Sequence, residues 1–299
     1  MENVVLKSEY DSLNIYTNLY DVENPKGVVQ IVHGMKEHQE RYSDFANFLN
    51  QNGYAVMTSD LRGHGKNASL LGYMEGKKSH EALVADQVTI TNYLNKRYPN
   101  LDVILFGHSM GTIISRNLLM SHADAFKKVV LTGVPAYQAA CYFGIFFANV
   151  IGKFKSDTYV SKMLEKLTLS PFSKAVKNAK TDVDWVSVSQ TNINNYLNDP
   201  YCNIPFTISA YKALYNLVKN MHKAKKYQVN DPNLPILMLI GELDPCPLGK
   251  KGFNSSINTL KKAGYINLSS KIYPNMRHEI LNEDNHMIVY EDILNYLNS

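Results

Sequence analysis

Nothing in this 299-residue chain approaches 18 consecutive uncharged apolar residues. The longest apolar segment, 139–151, is too short to span a bilayer, which excludes a transmembrane helix. The first ten residues mix Glu2, Lys7 and Glu9 with apolar side chains and hold no apolar core of a secretory signal. Cysteine is scarce. Cys141, Cys202 and Cys246 are odd in number and far apart, which argues against a disulfide framework and for a reducing compartment. The expectation is a soluble cytoplasmic protein, with at most peripheral contact at a membrane surface. Charge of one sign is also lacking. The net +4 is scattered in pairs such as Lys77-Lys78 and Lys261-Lys262, with no basic stripe of the kind nucleic acid requires. No Cys/His spacing suggests a metal site, and there is no internal repeat or low-complexity tract.

What is present is a hydrophobic content of 45%, enough for one large α/β domain or two small ones. Apolar strand-like runs occur at Val4–Leu6, Leu13–Leu19, Val28–Val32, Tyr54–Thr58, Val103–Phe106, Lys128–Leu131, Ile236–Ile240 and Leu268–Tyr273. Between them lie helical patterns at Tyr42–Asn50, Glu81–Tyr98, Thr112–Met120, Phe206–His222, Gly249–Ala263 and Asp284–Leu297. This alternation predicts a mostly parallel sheet covered on both faces. From Pro135 to about Pro205 strands disappear and short helical segments take over. The simplest organisation is one domain, 1–299, with a helical cap, 135–205, inserted over the strand ends where open sheets bind ligands.

Gly107-His108-Ser109-Met110-Gly111 sits between a strand and a helix. A G-x-S-x-G in that position is a nucleophile elbow, in which glycines permit a sharp turn that pushes the serine outward. The pentapeptide alone is weak evidence, since chance supplies its fixed positions in roughly one such chain in ten; its placement is the stronger signal. A serine hydroxyl needs an adjacent base. Of the histidines downstream, His122 and His222 fall in helical patterns and His286 in the closing helix. His278 alone follows a strand in a loop. The acid must stand just past another strand, where Asp244 is the best choice and Glu242 its nearest rival. The two oxyanion donors are expected to be the backbone N–H groups of Met110, next to the nucleophile, and Met35, in the loop after the third strand.

These residues resemble the monoacylglycerol lipase and lysophospholipase branch of the α/β-hydrolases, the group also called serine aminopeptidase-like. Four blocks carry the resemblance: His33 to Tyr42 (HGMKEHQERY), Asp60 to Gly65 (DLRGHG), Gly107 to Gly111, and Arg277 to Glu283 (RHEILNE). It implies an eight-stranded α/β-hydrolase fold with Ser109 as nucleophile, Asp244 as acid, His278 as base and no cofactor. Lys36, Thr112 and Asn67 depart from the family pattern, which normally has glycine or alanine, glycine, and serine there. The first two are expected to narrow the pocket or to close a turn differently.

The substrate expected from the resemblance is a single-chain lipid ester, either lysophospholipid or monoacylglycerol. A cap in such proteins binds acyl chains, which makes Tyr142 and Phe146 candidate substrate contacts. The apolar run Tyr142–Phe147, followed by Lys153 and Lys155, also suits an interfacial helix touching lipid. Glu37 and Arg41, with His38, either hold a polar head group or pin the loop by ion pairs. Asp60, Arg62 and His64 read as loop architecture. Cys246 is placed to line the site. Two alternatives remain: an aminopeptidase-type amide hydrolase, for which Glu165, Asp182 and Asp184 are the available amine anchors, and a non-catalytic small-molecule binder on the same scaffold.

Overall fold

The computed structural model describes residues 1–299. Eight strands form one sheet: β1 (Glu2–Lys7), β2 (Asn14–Tyr20), β3 (Val28–Val32), β4 (Ala55–Ser59), β5 (Val103–His108), β6 (Lys128–Thr132), β7 (Ile236–Gly241) and β8 (Leu268–Tyr273). They lie in the order β1-β2-β4-β3-β5-β6-β7-β8. β2 pairs antiparallel with β1 and β4, and every other pairing is parallel. Crossovers place α1 (Ser43–Gln51) and α9 (Met287–Asn298) on one face. On the other lie α2 (Ser79–Arg97), α3 (Met110–Leu118), α7 (Ile208–Met221) and α8 (Gly249–Ala263).

The central strands are mostly apolar because both faces are buried. Val28, Val32, Val103 and Leu105 face the α2–α3–α7–α8 side, whereas Val29, Ile31, Ile104 and Phe106 face α1 and α9. A polar residue in the middle of β3 interrupts this pattern. Gln30 is fully buried in β3, where its Nε2 donates to the Gln87 carbonyl and its Oε1 accepts from Thr91 Oγ1 at 2.7 Å. Its hydrogen bonds are replaced rather than lost, so the strand tolerates it.

The segment 135–205 contributes no strand to the sheet. It carries α4 (Cys141–Gly152), α5 (Lys162–Ala175) and α6 (Gln190–Asn198), and its one β contact is an isolated pairing of Val160 with Thr207. α4 turns Cys141, Gly144 and Ala148 inward. These are small residues one helical face apart, and they bring α4 close to α7: a Cβ on Gly144 would lie 2.6 Å from the Tyr215 ring. The opposite face leaves Tyr142, Phe143 and Phe146 more than half exposed. No helix is long and apolar enough to cross a membrane.

The closing helix begins three residues later than its apolar spacing suggests, at Met287 rather than Asp284. Asp284 instead accepts a hydrogen bond from Ser189 Oγ, and the Glu283 carboxylate binds the amides of Arg277, Val188 and Ser189. These side chains serve the neighbouring loops and hold the first turn out of helix.

At the elbow, α3 lies against the end of β3. A Cβ on Gly111 would fall 2.0 Å from the Val32 carbonyl oxygen and 2.7 Å from that of His33. Backbone cannot yield as a flexible side chain can. Gly111→Ala is therefore expected to lower stability by about 3 kcal/mol, the upper end of ordinary overpacking, measured by urea denaturation.

Candidate active site

β5 ends in His108, and Ser109 follows with φ 53° and ψ −117° before α3 begins at Met110. A non-glycine residue with positive φ is strained, and such strain collects where the fold must aim a side chain. Two bonds hold it there. The Ser109 amide donates to the Thr132 carbonyl of β6 at 3.0 Å, and the Thr112 hydroxyl donates to the Ser109 carbonyl at 2.8 Å. Thr112 thus braces the turn and does not narrow the cavity.

Ser109 Oγ lies 2.7 Å from His278 Nε2, and His278 Nδ1 lies 2.8 Å from Asp244 Oδ2. Asp244 Oδ1 accepts the Cys246 amide at 2.8 Å. Residues 109, 244 and 278 thus converge from the ends of β5, β7 and β8. Glu242 is exposed and takes no part. Burial drives the His278 imidazole towards neutrality. The Asp244 charge and hydrogen bond, with the charges of Glu279 and Glu37 behind them, outweigh burial and hold its pKa above the ordinary histidine value. Burial and the Asp244 charge push the Cys246 thiol well above its usual range, so it lines the site as a neutral group.

The loop after β3 is fixed on both sides of Met35. The Gly34 amide donates to Glu37 Oε1 at 2.6 Å and the Lys36 amide to His64 Nε2 at 3.3 Å. The Met35 amide between them makes no such bond. The Met110 amide is at the first position of α3, where helical N–H groups have no intrahelical acceptor. Lys36 occupies left-handed backbone, φ 59°, the conformation glycine adopts most easily. Asp60, Arg62 and His64 are loop architecture. Asp60 accepts from the Gln39 backbone and side chain, Arg62 pairs with Asp11 and Asp86, and His64 accepts from the Lys36 amide as above.

A cavity of about 100 Å³ opens beside Ser109. Met35 and Met110 stand at its reacting end, and Ile113, Leu167, Phe172 and Leu214 line its apolar length. Trp185 closes one side, its ring 5.0 Å from that of His278. Sequence reasoning gave Trp185 no role; its being the sole tryptophan was the only available signal.

The four expected substrate contacts are placed elsewhere. Tyr142 and Phe146 point outward from α4 and do not line the cavity. Glu37 and Arg41 are buried beneath the site. Arg41 grips Glu279 through two bonds of 2.5 and 2.8 Å, donates to Asn192 Oδ1 at 2.8 Å, and lies 3.4 Å from Glu37. Glu37 also accepts from Tyr42 Oη. Against the opposing effect of burial, the Arg41 charge holds the Glu279 carboxyl at about 2. The pinning alternative therefore fits these two residues. Of the amine anchors, Glu165 is paired with Lys36, and Asp184 accepts from Thr181 and the Lys180 amide.

Removing one partner of such a pair strands the other in a poorly solvating interior. Arg41→Met is expected to destabilise the protein by about 3–5 kcal/mol. Chemical denaturation checks this, and a change below about 1 kcal/mol would contradict the buried-pair assignment.

Comparisons with known proteins agree with this fold. The sequence profile of the family described as serine aminopeptidase, S33, matches residues 23–285. A monoacylglycerol lipase of Mycolicibacterium smegmatis is 25% identical over 93% of this chain and 92% of its own length. The monoglyceride lipase of Rattus norvegicus is 24% identical over 87% and 82%. A thermostable carboxyl esterase of Bacillus coagulans superimposes with a TM-score of 0.92 at 24% identity, covering 99% of this chain and 97% of that one. The chain has the α/β-hydrolase fold and belongs to the serine aminopeptidase S33 family.

Proposed function

We propose that the protein is a serine carboxylic-ester hydrolase acting on single-chain lipid esters. The observation that carries this reading is the unbroken relay Asp244–His278–Ser109, with contacts of 2.8 and 2.7 Å, opening into an apolar cavity. The lipases among its relatives support the substrate class. Neutral His278 takes the Ser109 proton as Oγ attacks the acyl carbon, and Asp244 fixes the tautomer and steadies the imidazolium. The developing oxyanion is received by the Met35 and Met110 amides. His278 then protonates the departing alcohol, and water, deprotonated by the same imidazole, releases the fatty acid from Ser109.

The segment 135–205 acts as the cap, with Leu167 and Phe172 supplying walls for the acyl chain. The outward face of α4 is its contact with lipid surfaces. Tyr142, Phe143 and Phe146 are exposed there, and Lys153 and Lys155 follow, the arrangement of an interfacial helix. Amide hydrolysis of an aminopeptidase kind is less well supported, because two of its three acidic anchors are already bonded within the chain.

Ser109→Ala is expected to lower turnover of p-nitrophenyl esters by roughly 10⁴-fold or more and to abolish labelling by a fluorophosphonate probe, with the fold intact by circular dichroism. Retained turnover removes Ser109 from the mechanism. The base works only when neutral, and its pKa is raised. The kcat/KM profile should therefore fall with decreasing pH through a midpoint above the roughly 6.5 of an ordinary imidazole. A midpoint at or below that value would contradict the assignment of His278.

A further inference from the structure

A second, polar groove adjoins the apolar cavity. It shares Met35 and Trp185 with it, so the two meet at the oxyanion loop and at the wall over His278. Its volume is about 430 Å³. One side is α5, which contributes Lys162, Lys166 and Lys174 to the groove lining, the first two one helical turn apart. None of these three ammonium groups is engaged in an ion pair. On the opposite wall, the Lys36 side chain is only 3% exposed and is neutralised by Glu165. Asp182 is the other carboxylate in the groove. Four lysines thus face two acids, and the three unpaired cations are all on α5. Ser170, on the same helix, adds a hydroxyl group, whereas Ser173 Oγ already donates to the Asp182 carbonyl at 2.7 Å.

We infer that this groove receives the alcohol side of the ester and that the alcohol carries a phosphate, which makes the preferred substrate a lysophospholipid rather than a neutral monoacylglycerol. The inference rests on the hydrolase reading above. An ester seated with its carbonyl at the Met35 and Met110 amides has its acyl chain on one side and its alcohol on the other. The apolar cavity takes the former, leaving the lysine-lined groove for the latter. The unpaired lysines suit a phosphate and oppose an ammonium group. In the reaction the acyl carbon–oxygen bond breaks, Ser109 Oγ bonds to the acyl carbon, and His278 returns the serine proton to the leaving oxygen. A glycerophospho alcohol departs with its phosphate unchanged.

The test compares hexanoyl-glycerophosphoglycerol with hexanoyl-glycerol, both dissolved below their aggregation limits so that no lipid surface is present. The native protein should favour the phosphate-bearing ester by about tenfold in kcat/KM at low salt, as expected from several partly exposed charge pairs. The triple variant Lys162→Gln, Lys166→Gln, Lys174→Gln should bring that ratio towards one. Calorimetric titration of the Ser109→Ala protein with glycerol phosphate should show binding that the same three substitutions remove. A ratio near one in the native protein, a ratio the lysine substitutions do not move, or a lysine effect seen only with vesicles would overturn the inference. If no ester is turned over at all, the hydrolase reading fails, and the glycerol phosphate titration still decides whether the groove binds the anion.

Discussion

Arg41 is the cation at which three distant segments meet. It stands just after the loop that carries Met35, it holds Glu279 beside His278, and it reaches Asn192 on α6. Asn192 closes the ring by donating to Glu279 at 2.8 Å. Two carboxylates and one guanidinium are thus buried together, an arrangement that is stable only while each polar atom finds its partner. The geometry above it inherits this constraint. The loop that carries His278, the loop that carries Met35 and the helical segment are positioned relative to one another by a buried charge cluster and not by contacts between their own backbones alone. Arg277 and Glu283 extend the same junction, bonding the His278 loop to residues 184–189.

The electrostatic setting of His278 follows from what surrounds it. His33, His64 and His108 are buried nearby, and burial lowers all three, His64 to about 4 and His108 to about 3. Each remains neutral and works through hydrogen bonds. His278 is equally buried, and its ring is 4.9 Å from that of His108. Its pKa moves the other way because it alone among these rings touches a carboxylate, Asp244. One contact, set by the turn after β7, gives His278 an electrostatic setting opposite to that of three rings of the same chemistry.

Much of this was legible in the sequence, for reasons that differ by element. The central parallel strands were readable because a sheet buried on both faces demands continuous apolar runs, whereas β1 and β8, largely exposed at the edges, were read from shorter apolar stretches. Ser109, His278 and Asp244 were readable because each lies a short step past a strand, where the fold leaves little freedom. Helix ends were less so. Nothing local reveals that Asp284 bonds to Ser189, a residue 95 positions away, so the late start of α9 could not be foreseen. Glu37 and Arg41 showed their charge but not their direction, since burial depends on Glu279 and Asn192. Tyr142 and Phe146 misled for a related reason. α4 is apolar all round, and the small residues Cys141, Gly144 and Ala148, not the large ones, decide which face packs. Trp185 carried no pattern at all, because a wall is made by three-dimensional closure.

The carbonyl of Lys36, one peptide beyond Met35, accepts the Tyr196 hydroxyl at 3.0 Å and the Asn203 amide at 2.9 Å. Both donors belong to the helical segment that roofs the cavity. A displacement of α6 would break the Tyr196 bond and leave the Lys36 carbonyl, next to Met35, with one partner fewer. The backbone beside Met35 and the helical segment are therefore coupled through a single carbonyl, and neither can be re-packed without disturbing the other.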